Sequence, residues 1–135
     1  MIEPSENLSK VFESAVKLAK SLSHEYIMVE HLVYCIMCQD ESYAMIQNFG
    51  ADSNFIKTNL EHYIKNNLND IVVDYEDDEA KPRKTATVER VLNRCFTQVL
   101  FSGRQRIDVA DVIVSVLNEK TSFAYYFLSK GGISN

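Results

Sequence analysis

Three groups of residues have types and spacings that chemistry could use. Ser14 and Lys17 stand at the Ser-x-x-Lys spacing of acylating hydrolases, but the companion motifs of that chemistry are absent. Both fall on the wet side of a helix whose apolar stripe is Val11, Ala15 and Leu18, so an ordinary solvated face is expected there. Cys35 and Cys38 form a Cys-x-x-Cys pair, the spacing of redox and zinc sites. A structural zinc needs four ligands in tetrahedral array, and only Cys95 remains, so packed, reduced thiols are expected. His24 and His31, with Glu25, Glu30, Glu61 and His62, could supply metal donors, yet no spacing fixes such a geometry. Surface histidines, or histidines closing a helix end, are the expectation, and no metal or cofactor is expected.

Nucleotide chemistry finds no footing. A phosphate cradle needs successive backbone N–H groups on a glycine-rich turn with a lysine, and Gly50, Gly103, Gly131 and Gly132 lie in no such setting. The chain is therefore expected not to be an enzyme. Its net charge of −5 argues against nucleic acid as a partner, because such a partner calls for a basic face. The start, Met-Ile-Glu-Pro-Ser-Glu-Asn, has neither the basic nor the apolar run of a secretory signal, and no stretch approaches a membrane span of ~20 apolar residues. A cytoplasmic monomer without membrane contact is expected.

The elements that must position any site follow from apolar spacing. Leu8, Val11, Phe12, Ala15, Leu18, Ala19 and Leu22 recur at helical steps behind Ser5 as N-cap. Val29 to Gln39 places Leu32, Val33, Ile36 and Met37 on one face, and Gln39-Asp40-Glu41 is read as its end. Ser42 to Phe49 follows, stopped by Gly50, and then a helix from Asp52 or Ser53 to about Asn67. Displaced by 80 positions the chain nearly overlays itself: Ile27, Val29, Ser42 and Ala44 fall on Ile107, Val109, Ser122 and Ala124. Such self-similarity predicts one helical unit used twice, each copy burying its stripe against the other. It also assigns Val109, Val112, Ile113, Val116 and Leu117 to a helix, although their β-branched side chains alone would suggest a strand.

The predicted organisation is a single all-α domain over 1–135. Repeat one covers about 5–68, and an acidic linker with Asp74, Glu76, Asp77, Asp78 and Glu79 covers about 69–86. Repeat two covers about 87–132 and has no residues left for a fourth helix. The linker is expected to be solvated and flexible. Apolar surface near Tyr125, Tyr126 and Leu128 is expected to lack its cover.

At Glu25-Tyr26-Ile27-Met28-Val29-Glu30-His31-Leu32-Val33 the chain resembles the Clp ATPase amino-terminal domain, with its His-Glu-Phe/Tyr and Thr-x-Glu-His-Leu-Leu pattern. Thr87-Val88-Glu89-Arg90-Val91-Leu92-Asn93-Arg94, and Ser102-Gly103-Arg104 through Ile107-Asp108-Val109, resemble the second repeat of that family. The likeness runs from about Leu8 to Gly131 and is closer to the ClpA/ClpC type than to ClpB. It implies a pseudo-twofold pair of four-helix repeats, here without the last helix and without AAA+ rings, as in a free-standing relative or a fragment.

Met28 stands where the family commonly has Thr as N-cap, a loss of ~1 kcal/mol unless another group caps. The resemblance further implies a noncatalytic protein-interaction module that docks a ClpS-like adaptor or Clp substrates and alters delivery to degradation. The docking residues it implies are Glu25, Glu30, Thr85 and Arg90, with Arg94 one turn further on. Glu30 is expected to be exposed, so that Glu30→Lys would weaken adaptor binding and leave folding intact. The alternative is an accessory subunit bound directly to the ClpP core.

Overall fold

The computed structural model describes residues 1–134. Its elements are β1 (Glu3–Pro4), α1 (Glu6–Ser21), β2 (Tyr26–Ile27), α2 (Val29–Met37), α3 (Asp40–Phe49), α4 (Ser53–Asn66), β3 (Arg83–Lys84), α5 (Ala86–Phe101), β4 (Arg106–Ile107), α6 (Val109–Val116) and α7 (Phe123–Lys130). Displacement by 80 carries α1 onto α5 end for end, and β1 and β2 onto β3 and β4. The caps repeat as well. Ser5 Oγ accepts from the Leu8 amide at 3.1 Å, and Thr85 Oγ1 accepts from the Val88 amide at 3.1 Å.

The all-α architecture is present, with an addition too short for periodicity to reveal. β1 pairs in parallel with β4, and β2 with β3, so each pairing joins the two repeats. The bonds obey the same symmetry: the Glu3 amide donates to the Gln105 carbonyl at 3.1 Å, and the Arg83 amide to the Glu25 carbonyl at 3.0 Å. These ties fix how the start of each first helix sits beside the start of the other repeat's second helix.

Leu8, Val11, Ala15 and Ala19 of α1 and Val88, Val91, Cys95 and Val99 of α5 are buried, and they close over Leu32, Val33, Ile36, Val112 and Val116. Five residues of α6, Val109, Val112, Ile113, Val114 and Val116, are β-branched, yet the segment is helical. Burial of its stripe outweighs the weak intrinsic preference. Gly50 ends α3 at φ 107°, a left-handed conformation that side chains resist. α3 starts at Asp40, two residues earlier than the apolar pattern suggests. Asp40 and Glu41 lie in its first turn, where the helix dipole favours acidic charge, so they open this helix rather than close α2.

α4 crosses between the repeats. Its buried stripe of Ile56, Leu60 and Ile64 packs on α2 and α7, and Tyr63 stacks on Phe123 with ring centroids 4.5 Å apart. Each such buried leucine or isoleucine contributes roughly 1.5–3 kcal/mol. The surface expected to lack cover near Leu128 is therefore covered: Leu128 is fully buried, and only Tyr126 stays half exposed. Helix α4 of repeat one supplies the lid for α7 of repeat two.

The segment expected as a flexible linker has exposed acidic side chains, but its backbone is tied to repeat one. A 3₁₀ turn spans Asn69–Ile71, the Val73 amide donates to the Ser23 carbonyl at 2.8 Å, and Tyr75 Oη donates to the His24 carbonyl at 2.6 Å. The Lys20 ammonium donates to the carbonyls of Asp77, Asp78 and Ala80 and lies 5.0 Å from the Tyr75 ring centre. Pro82 is buried.

Candidate functional site

The β2–β3 pairing sets the start of α2 beside the start of α5, and α7 begins against both. Where the three helices start, a cavity of about 300 Å³ opens. Met28 and Glu30 come from the cap and first turn of α2, Thr85 and Thr87 from those of α5, Tyr63 from α4, and Glu119 and Thr121 to Phe123 from the approach to α7.

Two of the helix starts are capped by hydroxyls and the third by a histidine. Thr85 caps α5, and Ser122 caps α7 by accepting from the Tyr125 amide at 3.0 Å. Met28 has no oxygen to offer α2. Instead His31 reaches back, and its Nδ1 accepts from the Met28 amide at 2.9 Å, which supplies the missing cap interaction from the other direction.

Glu30 departs from expectation. It is 2% exposed rather than solvated, and its Oε2 accepts from the Ala124 amide at 2.9 Å. The sequence could not place it so, because the first turn of α7 arrives from the far end of the chain. Burial pushes the Glu30 carboxyl above the ordinary carboxylate pKa, opposed by the amides that point at it. Burial, together with the charge on Glu30, also raises the Tyr63 phenol.

The structure brings Glu30 and Thr85 into one cavity, with Arg90 and Arg94 behind it. Both arginines grip Glu119, a residue the sequence reading missed. Arg90 Nε and Nη2 bind its two carboxylate oxygens at 3.0 and 2.6 Å, and Arg94 Nη2 adds a contact of 2.8 Å. Arg94 also donates to the carbonyl and hydroxyl oxygens of Ser115. Hydrogen bonding from Arg90 leads in holding Glu119 down at a pKa of about 2, although its side chain is 7% exposed. No spacing rule links Arg90 to a carboxylate at 119, so no signal in the sequence pointed to this clasp. Glu25 lies outside the cavity and pairs with Arg83 at 3.0 Å.

The other candidate chemistry separates in space. Ser14 and Lys17 are exposed. Cys35 is buried with its thiol pushed up to about 12, Cys95 is buried with its thiol raised to about 11, and Cys38 is exposed. His24 and His31 are buried rather than superficial, and His24 Nδ1 lies 2.9 Å from His31 Nε2. His62 is exposed on α4 and bonds Asn66. Among the described residues, no three His, Cys, Asp or Glu side chains form a group able to hold a metal. What the cavity offers is hydroxyls, helix starts whose amides are already capped by side chains, one clasped carboxylate and the edge of an aromatic stack. These groups suit hydrogen-bonded docking of another molecule.

Residues 3–131 match the family model of the Clp repeat (R) N-terminal domain. The ClpA homolog protein of Fuscovulum blasticum is 30% identical over 126 residues, which make up 93% of this chain and 16% of that protein. The chain thus spans about a sixth of the length of this relative. The fold is similar to the Hsp104 N-terminal domain from Candida albicans, with a TM-score of 0.79 at 11% identity over 98% of this chain and 83% of that one. It is also similar to the N-terminal domain of the chaperone ClpD from Arabidopsis thaliana, with a TM-score of 0.68 at 16% identity over 98% and 86% of the two chains.

Proposed function

Since the chain belongs to the Clp repeat N-terminal domain family, a protein-interaction module of Clp ATPases, we propose that it docks a ClpS-like adaptor or a Clp substrate without catalysis and modulates delivery to degradation. The observation that carries this reading is the cavity at the joint start of α2, α5 and α7, where the hydroxyls of Thr85, Thr87, Thr121 and Ser122 stand in a largely apolar lining. Thr85 presents its hydroxyl in the lining, and Glu25 adds a carboxylate on the neighbouring β2 surface. Glu30 lines the cavity and holds the start of α7, while Arg90 and Arg94 hold Glu119 from behind.

Charge-assisted hydrogen bonds from such groups orient a partner, and their loss weakens the complex more than loss of an exposed pair would. No described helix is long and apolar enough to cross a membrane, and the proposed place of action is the cytoplasm. Titration of a purified ClpS-type adaptor into the wild-type chain tests the reading. Arg90→Ala and Glu25→Lys should each weaken binding, and the melting curves show whether folding is retained. Equal affinity in both variants removes these residues from the docking surface. Retention on a ClpP column, with none on the adaptor, replaces the reading by an accessory subunit of the protease.

A further inference from the structure

The ring of Phe123 stands half exposed in the lining of the cavity where α2, α5 and α7 start. It opens α7 directly after the Ser122 cap, and the amides of Phe123 and Ala124 point at the buried Glu30 carboxylate, so its backbone is fixed. The side chain is fixed as well. It stacks on Tyr63 with ring centroids 4.5 Å apart, and the Phe127 ring lies 6.4 Å from Phe123 and 6.3 Å from Tyr63. Phe49, Phe96 and Phe101 are also exposed, but among the described residues none of them stacks on another ring. A half-exposed ring already held in place makes a strong binding anchor, because it has little freedom left to lose on contact.

What surrounds the ring selects its occupant. Glu30 is 2% exposed and Glu119 7%, and both oxygens of Glu119 are held by Arg90 and Arg94. A basic side chain therefore meets no open carboxylate, and an acidic one would be brought beside two like charges, so a neutral side chain is complementary. The thioether of Met28 lines the same space, and sulfur packs well against aromatic rings. Thr85 Oγ1 accepts from the Val88 amide and Thr87 Oγ1 from the Arg90 guanidinium, so each hydroxyl keeps its proton for an incoming acceptor. Main-chain carbonyls are such acceptors, and they are unpaired in an extended segment, whereas within a helix they are already bonded.

Resting on the reading of this cavity as a docking site, we propose that it captures one aromatic side chain of an extended, unfolded segment of a Clp substrate, with the ring laid on Phe123 and the neighbouring carbonyls bonded by Thr85 and Thr87. The size agrees. A cavity of about 300 Å³ lies at the small end of ligand-sized pockets, enough for a side chain and its flanking peptide, whereas a folded adaptor needs a contact of about 800 Å² on each side.

The test uses the whole chain and a short fluorescent peptide of glycine and serine with one central phenylalanine. Saturable anisotropy is expected, weakened at least about tenfold by Phe123→Ala, a difference that dissociation constants resolve readily. Phe123→Tyr keeps the ring and should keep binding. Phe101→Ala removes a still more exposed ring outside the cavity and should change nothing. Thr87→Val should weaken binding, and peptides with lysine, glutamate or serine in place of the phenylalanine should not bind. Melting curves show that each variant is folded. Binding by Phe123→Ala at wild-type strength, or a lysine peptide that matches the phenylalanine peptide, overturns the proposal. Titration of ClpS into Phe123→Ala protein separates the sources: affinity retained while the peptide is lost supports a substrate segment, and affinity lost in step with the peptide overturns that assignment. If no peptide binds the wild-type chain, the inference falls, and adaptor titration of the same chain still decides the docking reading by itself.

Discussion

Glu30 on α2 and Ala124 on α7 are joined by a 2.9 Å hydrogen bond across 94 residues of sequence, from the Ala124 amide to Glu30 Oε2. A carboxylate thereby caps a helix of the other repeat. Because burial raises the Glu30 pKa, its contribution to folding is full in acid, below the ordinary value, and is lost as pH rises through the folded value. Glutamine keeps an oxygen for the amide and has no charge to desolvate. Glu30→Gln is therefore expected to change stability by less than about 1 kcal/mol. Glu30→Lys buries a cation beside a helix N-terminus and should cost about 3–5 kcal/mol. Urea denaturation at neutral pH distinguishes the two, and equal midpoints for wild type and Glu30→Lys would disprove the cap. A loss of partner binding in Glu30→Lys protein then reports on folding, contrary to the expectation from the sequence.

The histidine pair predicts a loss of stability in acid. His31 Nδ1 accepts from the Met28 amide, so its proton sits on Nε2 and is donated to His24 Nδ1. Burial holds His31 at a pKa of about 4 and lowers His24 as well. A depressed folded pKa means that the unfolded chain binds more protons between about 4 and 6.5. Stability is thus present above 6.5 and is lost as pH falls towards 4, by up to about 3 kcal/mol for His31. Glu119, held at about 2, continues the loss below its ordinary value, whereas Glu30 works in the opposite sense. The difference between wild type and His31→Gln isolates the histidine. Its urea midpoint should be flatter between pH 7 and 5, and parallel curves would refute the assignment.

The symmetry-related pair in repeat two supports this reading. Arg104 and Asp111 occupy the positions of His24 and His31, and Asp111 accepts from the Asp108 amide at 2.8 Å just as His31 accepts from Met28. Arg104 binds Asp111 through two contacts of 2.8 and 3.1 Å. One geometry is therefore built from neutral rings in one repeat and from an ion pair in the other. That equivalence was available in the sequence as an offset but carried no chemistry until the side chains were placed. Ser5 was legible as a cap, and Asp52 as one of two candidates, because capping is local, and α6 was legible as a helix because its copy is helical. The burial of Glu30, the clasp on Glu119 and the two-residue strands were not legible. The Glu30 bond and the strand pairings need a partner from the other repeat, the clasp joins residues 25 and 29 positions apart within repeat two, and two residues are too few for an alternating pattern to register.

Lys20 predicts the behaviour of the acidic segment. Its ammonium takes the carbonyls of residues 77, 78 and 80, which turns an exposed charge block into a fastened loop. Lys20→Gln shortens the reach and removes the charge. Amide exchange and protease cleavage between 74 and 81 should rise several-fold, roughly the effect of losing ~1 kcal/mol of local stability. The global melting midpoint should move little. Unchanged exchange in this segment would show that the tether does not order it.

Gly131 predicts a steric loss where the repeats meet. The Asp52 amide donates to the Gly131 carbonyl at 2.8 Å, which latches the start of α4 to the end of α7. A Cβ at Gly131 would lie 2.4 Å from Ile56 Cγ1 and 2.7 Å from its Cδ1, and Ile56 is fully buried. The backbone conformation at this position is ordinary, so the penalty comes from the clash rather than from φ. Gly131→Ala should cost about 1–3 kcal/mol, as overpacking does. Ile56→Ala removes both offending atoms and costs about 2–5 kcal/mol through its own cavity. In the double variant the alanine at 131 is left only with the tight but tolerable 3.1 Å approach to the Phe127 carbonyl oxygen, so the two losses should sum to more than the double loss by at least ~1 kcal/mol. Strict additivity in a double-mutant cycle read by urea denaturation would show that α4 does not pack against the end of α7 in this way.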